Sequence, residues 1–156
     1  MLMIHENGAH RQQRGFSLVE VLIALVIMSV GMLGIAGLYV QSMQAGRTAT
    51  FRHHAVTLAG DVADRIRANP TAGAAYTAVG GSDNGCVDMG VNCSAPQMAA
   101  HDIFLWTDQA QDTLPAGTVT ITYDGAVTPP TFLIEVKWVE AGEDLDYTIQ
   151  IPVIGS

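Results

Sequence analysis

Arg14-Gly15-Phe16-Ser17-Leu18-Val19-Glu20 leads directly into Val21–Val40, twenty residues without a charged side chain. About 20 apolar residues, rising ~1.5 Å each as a helix, cross a ~30 Å hydrocarbon layer, so the run predicts a membrane-spanning helix over residues 16–40. Glu20 stands at its head, four residues beyond Phe16. A carboxylate near the bilayer centre costs roughly 2.5–3.5 kcal/mol on insertion scales, so an acid inside such a segment marks a functional position and calls for a partner. The bland alternative is a Glu20 that reaches the interface and stays hydrated.

The flank before this run is polar and holds Arg11 and Arg14. Positive charge on one flank keeps that flank cytoplasmic, which places the carboxyl-terminal bulk on the far side of the membrane. A secretory signal has a shorter apolar core and a small-residue cleavage site after it. Neither is present here, so the residues alone describe an uncleaved anchor.

The remaining charge is unevenly spread over a chain of 156 residues with formal charge -8. Six of the seven Lys and Arg lie before residue 68, and Lys137 faces eleven Asp and Glu beyond it. Clustered Lys and Arg are what a phosphate backbone requires, so no nucleic-acid partner is expected. An acidic region favours solubility or a basic partner. Cys86 and Cys93 lie in a Gly- and Asn-rich stretch. Outside the cytoplasm such a pair reads as a disulfide, and a loop this short contributes roughly 2–2.5 kcal/mol in the chain-entropy model. Zinc wants four ligands and no second cysteine pair exists, so no metal or cofactor is expected there.

Helical periodicity continues past Val40. Phe51, Ala55, Leu58, Val62 and Ile66 recur at steps of three and four, forming one apolar stripe, while Asp61, Asp64, Arg65 and Arg67 mostly fall off it. Asn69-Pro70 predicts the terminus, because a residue before proline avoids helical geometry. Gly31, Gly34 and Gly37 read either as close helix packing or as a weak segment able to unwind. Residues 71–96 read as a long irregular connection that carries the cysteines. Ile103, Trp106, Ala110 and Leu114 predict a short helix over residues 98–114. Alternation predicts strands over residues 118–123, 132–140 and 147–154, with Pro152 marking a free edge or a stop. Glu140, Glu143, Asp144 and Asp146 fall in the expected hairpin loop, which lacks the ligand spacing of a calcium loop and reads as a solvated acidic turn. Three strands with one greasy face need a cover, and the stripe from Phe51 to Ile66 supplies it. The fold class is therefore α+β: a long N-terminal helix, half transmembrane and half amphipathic, packed on a small antiparallel sheet.

No catalytic motif is visible. His5 and His10 precede the apolar run, His53 and His54 are adjacent and point about 100° apart on a helix, and His101 stands alone. No enzyme activity is expected.

Arg14-Gly15-Phe16-Ser17-Leu18-Val19-Glu20-Val21-Leu22-Ile23-Ala24 resembles the amino-terminal signature of type IV prepilins and pseudopilins. The resemblance implies a leader, residues 1–15, removed by prepilin peptidase between Gly15 and Phe16, with N-methylation of the new terminus. It implies that Glu20 meets the ammonium of a neighbouring subunit. Pairing the two lowers the cost of burying either. It divides the chain into leader 1–15, transmembrane and assembly helix 16–40, and a periplasmic pilin-like domain 41–156. The implied partners are prepilin peptidase, other major and minor pilins, the inner-membrane pilus assembly platform, and the membrane through residues 16–40. Leu58–Pro70 and the Asp-rich segment ending Thr113-Leu114-Pro115-Ala116-Gly117 are similar to PilV-type minor pilins. The expected role is a minor structural subunit that starts or modifies filament assembly from the inner membrane. The alternatives are a pseudopilin of type II secretion and a pilus-displayed adhesive module.

Overall fold

A computed structural model describes residues 15–153. The expected leader, apart from Gly15, and Ile154 of the expected last strand lie outside the described residues. Within them run α1 (Leu18–Ala68), a short 3-10 helix (Pro70–Thr77), α2 (Ala95–Thr113), β1 (Thr118–Asp124), β2 (Thr131–Glu140) and β3 (Glu143–Pro152). The chain divides into two compact units, with the boundary between Gln44 and Ala45.

The first unit is helix. Its first turn closes on the Ser17 carbonyl, which accepts the amides of Glu20 at 3.0 Å and Val21 at 3.3 Å. The helix assignment runs through Gly31, Gly34 and Gly37. Every residue from Gly15 to Gln44 is exposed, including Phe16, Leu22, Ile27 and Leu33. So continuous an apolar surface demands a cover of lipid or protein. Among the described residues this is the one helix long and apolar enough to cross a membrane.

The second unit is an α+β domain. The rest of α1 buries Ala55, Leu58, Ala59, Val62, Ala63 and Ile66 against the sheet. The stripe is wider than its large residues imply, because alanines at every fourth position from Ala55 to Ala63 let neighbouring elements approach. The helix stops where expected: the Asn69 amide still reaches the Arg65 carbonyl at 3.1 Å, but Asn69 leaves helical geometry ahead of Pro70.

Two of the expected boundaries are corrected. The stretch after Pro70 is not irregular at its start: the 3-10 helix folds back and buries Tyr76, whose ring stacks on Trp106 with centroids 5.8 Å apart. α2 begins three residues before the expected Met98, because Ser94 caps it. The Ser94 amide donates to Gln97 Oε1 at 2.9 Å, Pro96 fits the first turn, and the Met98 amide donates to the Ser94 carbonyl. Its buried face carries Ala99, Ile103, Trp106 and Ala110, so the sheet is covered by both helices and not by α1 alone.

The exit from α2 is tight. A Cβ built on Gly117 would lie 2.1 Å from the Ala110 carbonyl oxygen, so only glycine passes there. The sheet order is β1-β2-β3, antiparallel throughout. Ile121, Ile134 and Ile149 form one cross-strand row on the core face, and Val119, Val136 and Tyr147 the next. The acidic residues Glu143, Asp144 and Asp146 are not in a loop, as expected, but on β3. The hairpin loop is only Ala141-Gly142, both at positive φ (54° and 86°), which suits a two-residue turn whose twist matches the strands. β3 is an edge strand and ends at Pro152, in keeping with the missing amide proton.

Candidate assembly site and the polar anchor behind it

At the head of α1, Phe16 and Glu20 border one open apolar groove with Val21, Ala24, Leu25 and Met28. Phe16 lies two residues ahead of α1 and Glu20 in its first turn, and the groove wall brings the two together. The Glu20 carboxylate has no ion-pair partner among the described residues. The geometry presents an acid in an apolar surface, in one groove with Phe16.

Cys86 and Cys93 form a disulfide, with Cα atoms 5.7 Å apart. The stretch around it is stitched to the first turns of α2. The Ser82 amide donates to the Ala100 carbonyl at 2.8 Å, and Asn84 Nδ2 donates to the Gln97 carbonyl at 2.9 Å. His101, which the sequence leaves alone, is buried beneath this stretch. Its Nδ1 lies 3.3 Å from the Asn84 amide nitrogen and 3.3 Å from Asp83 Oδ1. His53 and His54 diverge on α1, their ring centroids 6.2 Å apart.

Sequence reasoning missed a polar cluster that fastens α1 to α2. Asp102 on α2 is only 2% exposed, and it accepts Arg65 Nη1 at 2.9 Å and the Tyr76 hydroxyl at 3.1 Å. Arg65 Nε reaches Asp61 Oδ2 at 3.1 Å, and that oxygen also accepts Trp106 Nε1 at 2.8 Å. Asn69 Nδ2 donates to the Tyr76 hydroxyl at 3.2 Å and to the Ala95 carbonyl at 2.9 Å. A buried carboxylate survives only when paired and hydrogen-bonded, and Asp102 is both. Burial pushes the Tyr76 hydroxyl up to about 12; the Asn69 hydrogen bond opposes this, and the Asp102 charge adds to it. Burial alone would lower the Arg65 pKa, but the hydrogen bond to Asp102 and the charges of Asp61 and Asp102 outweigh it and leave it raised. The one sequence signal was the Asp61/Arg65 spacing of four, which reads as an ordinary surface pair until Asp102 is brought to it.

Two family models match the chain in adjoining blocks. Residues 10–36 match the prokaryotic N-terminal methylation motif, and residues 37–104 match a Tt1218-like model described as type IV pilin Tt1218. Together the two matches support a type IV pilin. No curated protein and no solved structure matches it. In this pilin the methylation motif contains Gly15, Phe16 and Glu20. The pilin match contains the disulfide and the anchor residues Asp61, Arg65, Asn69, Tyr76 and Asp102. The sheet lies beyond the matched residues, so its resemblance to a pilin is one of architecture: the amphipathic continuation of a long amino-terminal helix on a small antiparallel sheet.

Proposed function

We propose that this pilin is a minor structural subunit of a type IV pilus, of PilV type, that starts or modifies filament assembly. Residues 16–40 hold it in the inner membrane, and residues 41–156 wait in the periplasm until the assembly platform draws the subunit into the filament with other major and minor pilins. Prepilin peptidase cuts between Gly15 and Phe16. The new Phe16 ammonium then pairs with Glu20 of a neighbouring subunit, so the two charges that are costly alone in an apolar medium become tolerable together. The role is structural rather than catalytic. The match to a type IV pilin model favours the pilus over a type II secretion pseudopilus, which shares the same signature.

The observation that carries this reading is the exposed Glu20 carboxylate, which shares an apolar groove with Phe16 at the head of an apolar helix and has no ion-pair partner in its own chain among the described residues. Replacing Glu20 by Ala is expected to leave the subunit in the membrane and remove it from sheared surface filaments. Normal incorporation of Glu20→Ala refutes the assembly role. Mass spectrometry of the native protein is expected to find a mature chain beginning at methylated Phe16; a chain retaining Arg14 refutes the processing.

A further inference from the structure

Beyond the buried stripe, α1 of the second unit carries one sign of charge. No Asp or Glu occurs between Ala45 and Gly60, and Arg47, Arg52 and His53 are all exposed. Arg52 makes no ion pair among the described residues, and Arg47 only lies over the Phe51 ring, 6.0 Å from its centroid. Five residues apart, the two arginines stand about 140° from each other, one on each flank of the buried stripe. The uncovered side of the helix between them presents Ala49, Thr50, His53, Val56 and Thr57.

The opposite sign is concentrated on the sheet edge. β3 is unpaired on its outer side and exposes Glu143, Asp144 and Asp146. Lys137 is the one Lys or Arg in the sequence after Arg67, and it is taken up by Glu135 at 3.0 Å. Among the described residues no ion pair joins Arg47 or Arg52 to β3 of the same chain. A molecule with a net basic helix face and a net acidic strand edge is complementary to its own copies.

We propose that the exposed face of α1 between Ala45 and Gly60 is the docking surface for the acidic β3 edge of a second copy of this chain. The inference rests on the subunit reading above and names the contact made outside the membrane. A contact in which different patches meet leaves the second copy's own helix face free for a further subunit. Exposed ion pairs are individually weak and screened by salt, so this contact sets register and orientation more than affinity. Anionic lipid headgroups are the competing occupant of the arginines. They are disfavoured because the acidic hairpin lies at the same level of α1: the Thr48 hydroxyl donates to Glu140 of that hairpin.

The test uses full-length chains in their native membrane, as two copies with tags of different size. One copy carries Arg52→Cys and the other Asp144→Cys. Mild oxidation is expected to join the two about tenfold more than it joins Arg52→Cys to Thr122→Cys, which lies on β1 at the far edge of the sheet. Arg47→Glu in the first copy is expected to lower the yield, and Glu143→Lys in the second to restore it. Equal yields for the two pairs, or a yield indifferent to these reversals, overturns the proposal. So does labelling of phospholipid in place of the second copy by a photo-cross-linker attached to the Arg52→Cys thiol. Sheared filaments are scored in the same cells. Filaments that contain the subunit but lack the cross-link overturn this contact and spare the pilus reading; the cross-link in membranes without incorporation does the reverse.

Discussion

Replacing Asp102 by Ala removes the acceptor at the centre of the anchor, and the structure sets the size of the effect. Asp102 is 2% exposed and takes two hydrogen bonds, one from a cation. Breaking a buried ion pair by deleting one partner costs about 3–5 kcal/mol when the survivor is stranded. Arg65 is not stranded: its side chain is 41% exposed and it keeps Asp61 at 3.1 Å. The Tyr76 hydroxyl still accepts from Asn69 Nδ2 at 3.2 Å, but as a donor it keeps only a long contact to the Arg65 carbonyl at 3.4 Å. The expected loss is therefore at the low end, about 3 kcal/mol, of which roughly 1–2 kcal/mol is the weakened Tyr76 hydroxyl. For a domain of this size that is a fall of roughly 12 °C in Tm. Trp106 and Trp138 both lie in the domain core, so tryptophan fluorescence of the full-length protein in detergent micelles during a urea or thermal scan reports it. Tyr76→Phe alone is expected to cost about 1 kcal/mol, and the double variant less than the sum of the two, because they share one hydrogen bond. A loss below about 1 kcal/mol for Asp102→Ala, or strict additivity with Tyr76→Phe, refutes the cluster as the clamp between α1 and α2.

The same cluster predicts an alkaline limit. The Tyr76 pKa is raised in the folded state, so its contribution is fully present below the unfolded value of about 10 and is lost as pH rises toward about 12. Fluorescence-monitored urea titrations at stepped pH should show the midpoint falling across that window, and Tyr76→Phe should flatten the fall. Gly117→Ala sets a Cβ against the Ala110 carbonyl oxygen, and the backbone must move; a loss of about 1–3 kcal/mol is expected in thermal scans, whereas a neutral result refutes the tight exit from α2. Cys86→Ser with Cys93→Ser should cost roughly 2–2.5 kcal/mol in urea titrations and open residues 82–93 to limited proteolysis, while α2 stays protected by its own cap.

How far the sequence reaches is clearest along α1. The charge-free run from Val21, the stop at Asn69-Pro70 and the stripe from Ala55 to Ile66 all follow from side-chain polarity and backbone sterics, which act locally and leave a periodic trace in the chain. β1 and β2 were equally legible, because alternation on a half-buried sheet is local too, whereas β3 was expected only from residue 147 and begins at Glu143. The disulfide followed from compartment and cysteine count. Three features could not be read this way. The capped start of α2 hides in Ser94 and Gln97, which do not interrupt an otherwise loop-like composition. The acidic residues after Gly142 look like a loop because charge masks the alternation, yet their pairing with β2, Asp146 opposite Lys137, makes them strand. The third is the anchor. Asp61, Arg65, Tyr76 and Asp102 span three separate elements, and each alone is an unremarked polar residue.

Local chemistry in the chain by itself determined the long apolar helix, the amphipathic continuation, most of the sheet and the acid at Glu20, since each depends on neighbours a few residues away. Tertiary structure alone decided which polar groups are withdrawn from water. Desolvation depends on what the fold lays over a side chain, so only the packing of α2 and the 3-10 helix onto α1 turns Asp102 into a buried, obligatory partner of Arg65 and Tyr76.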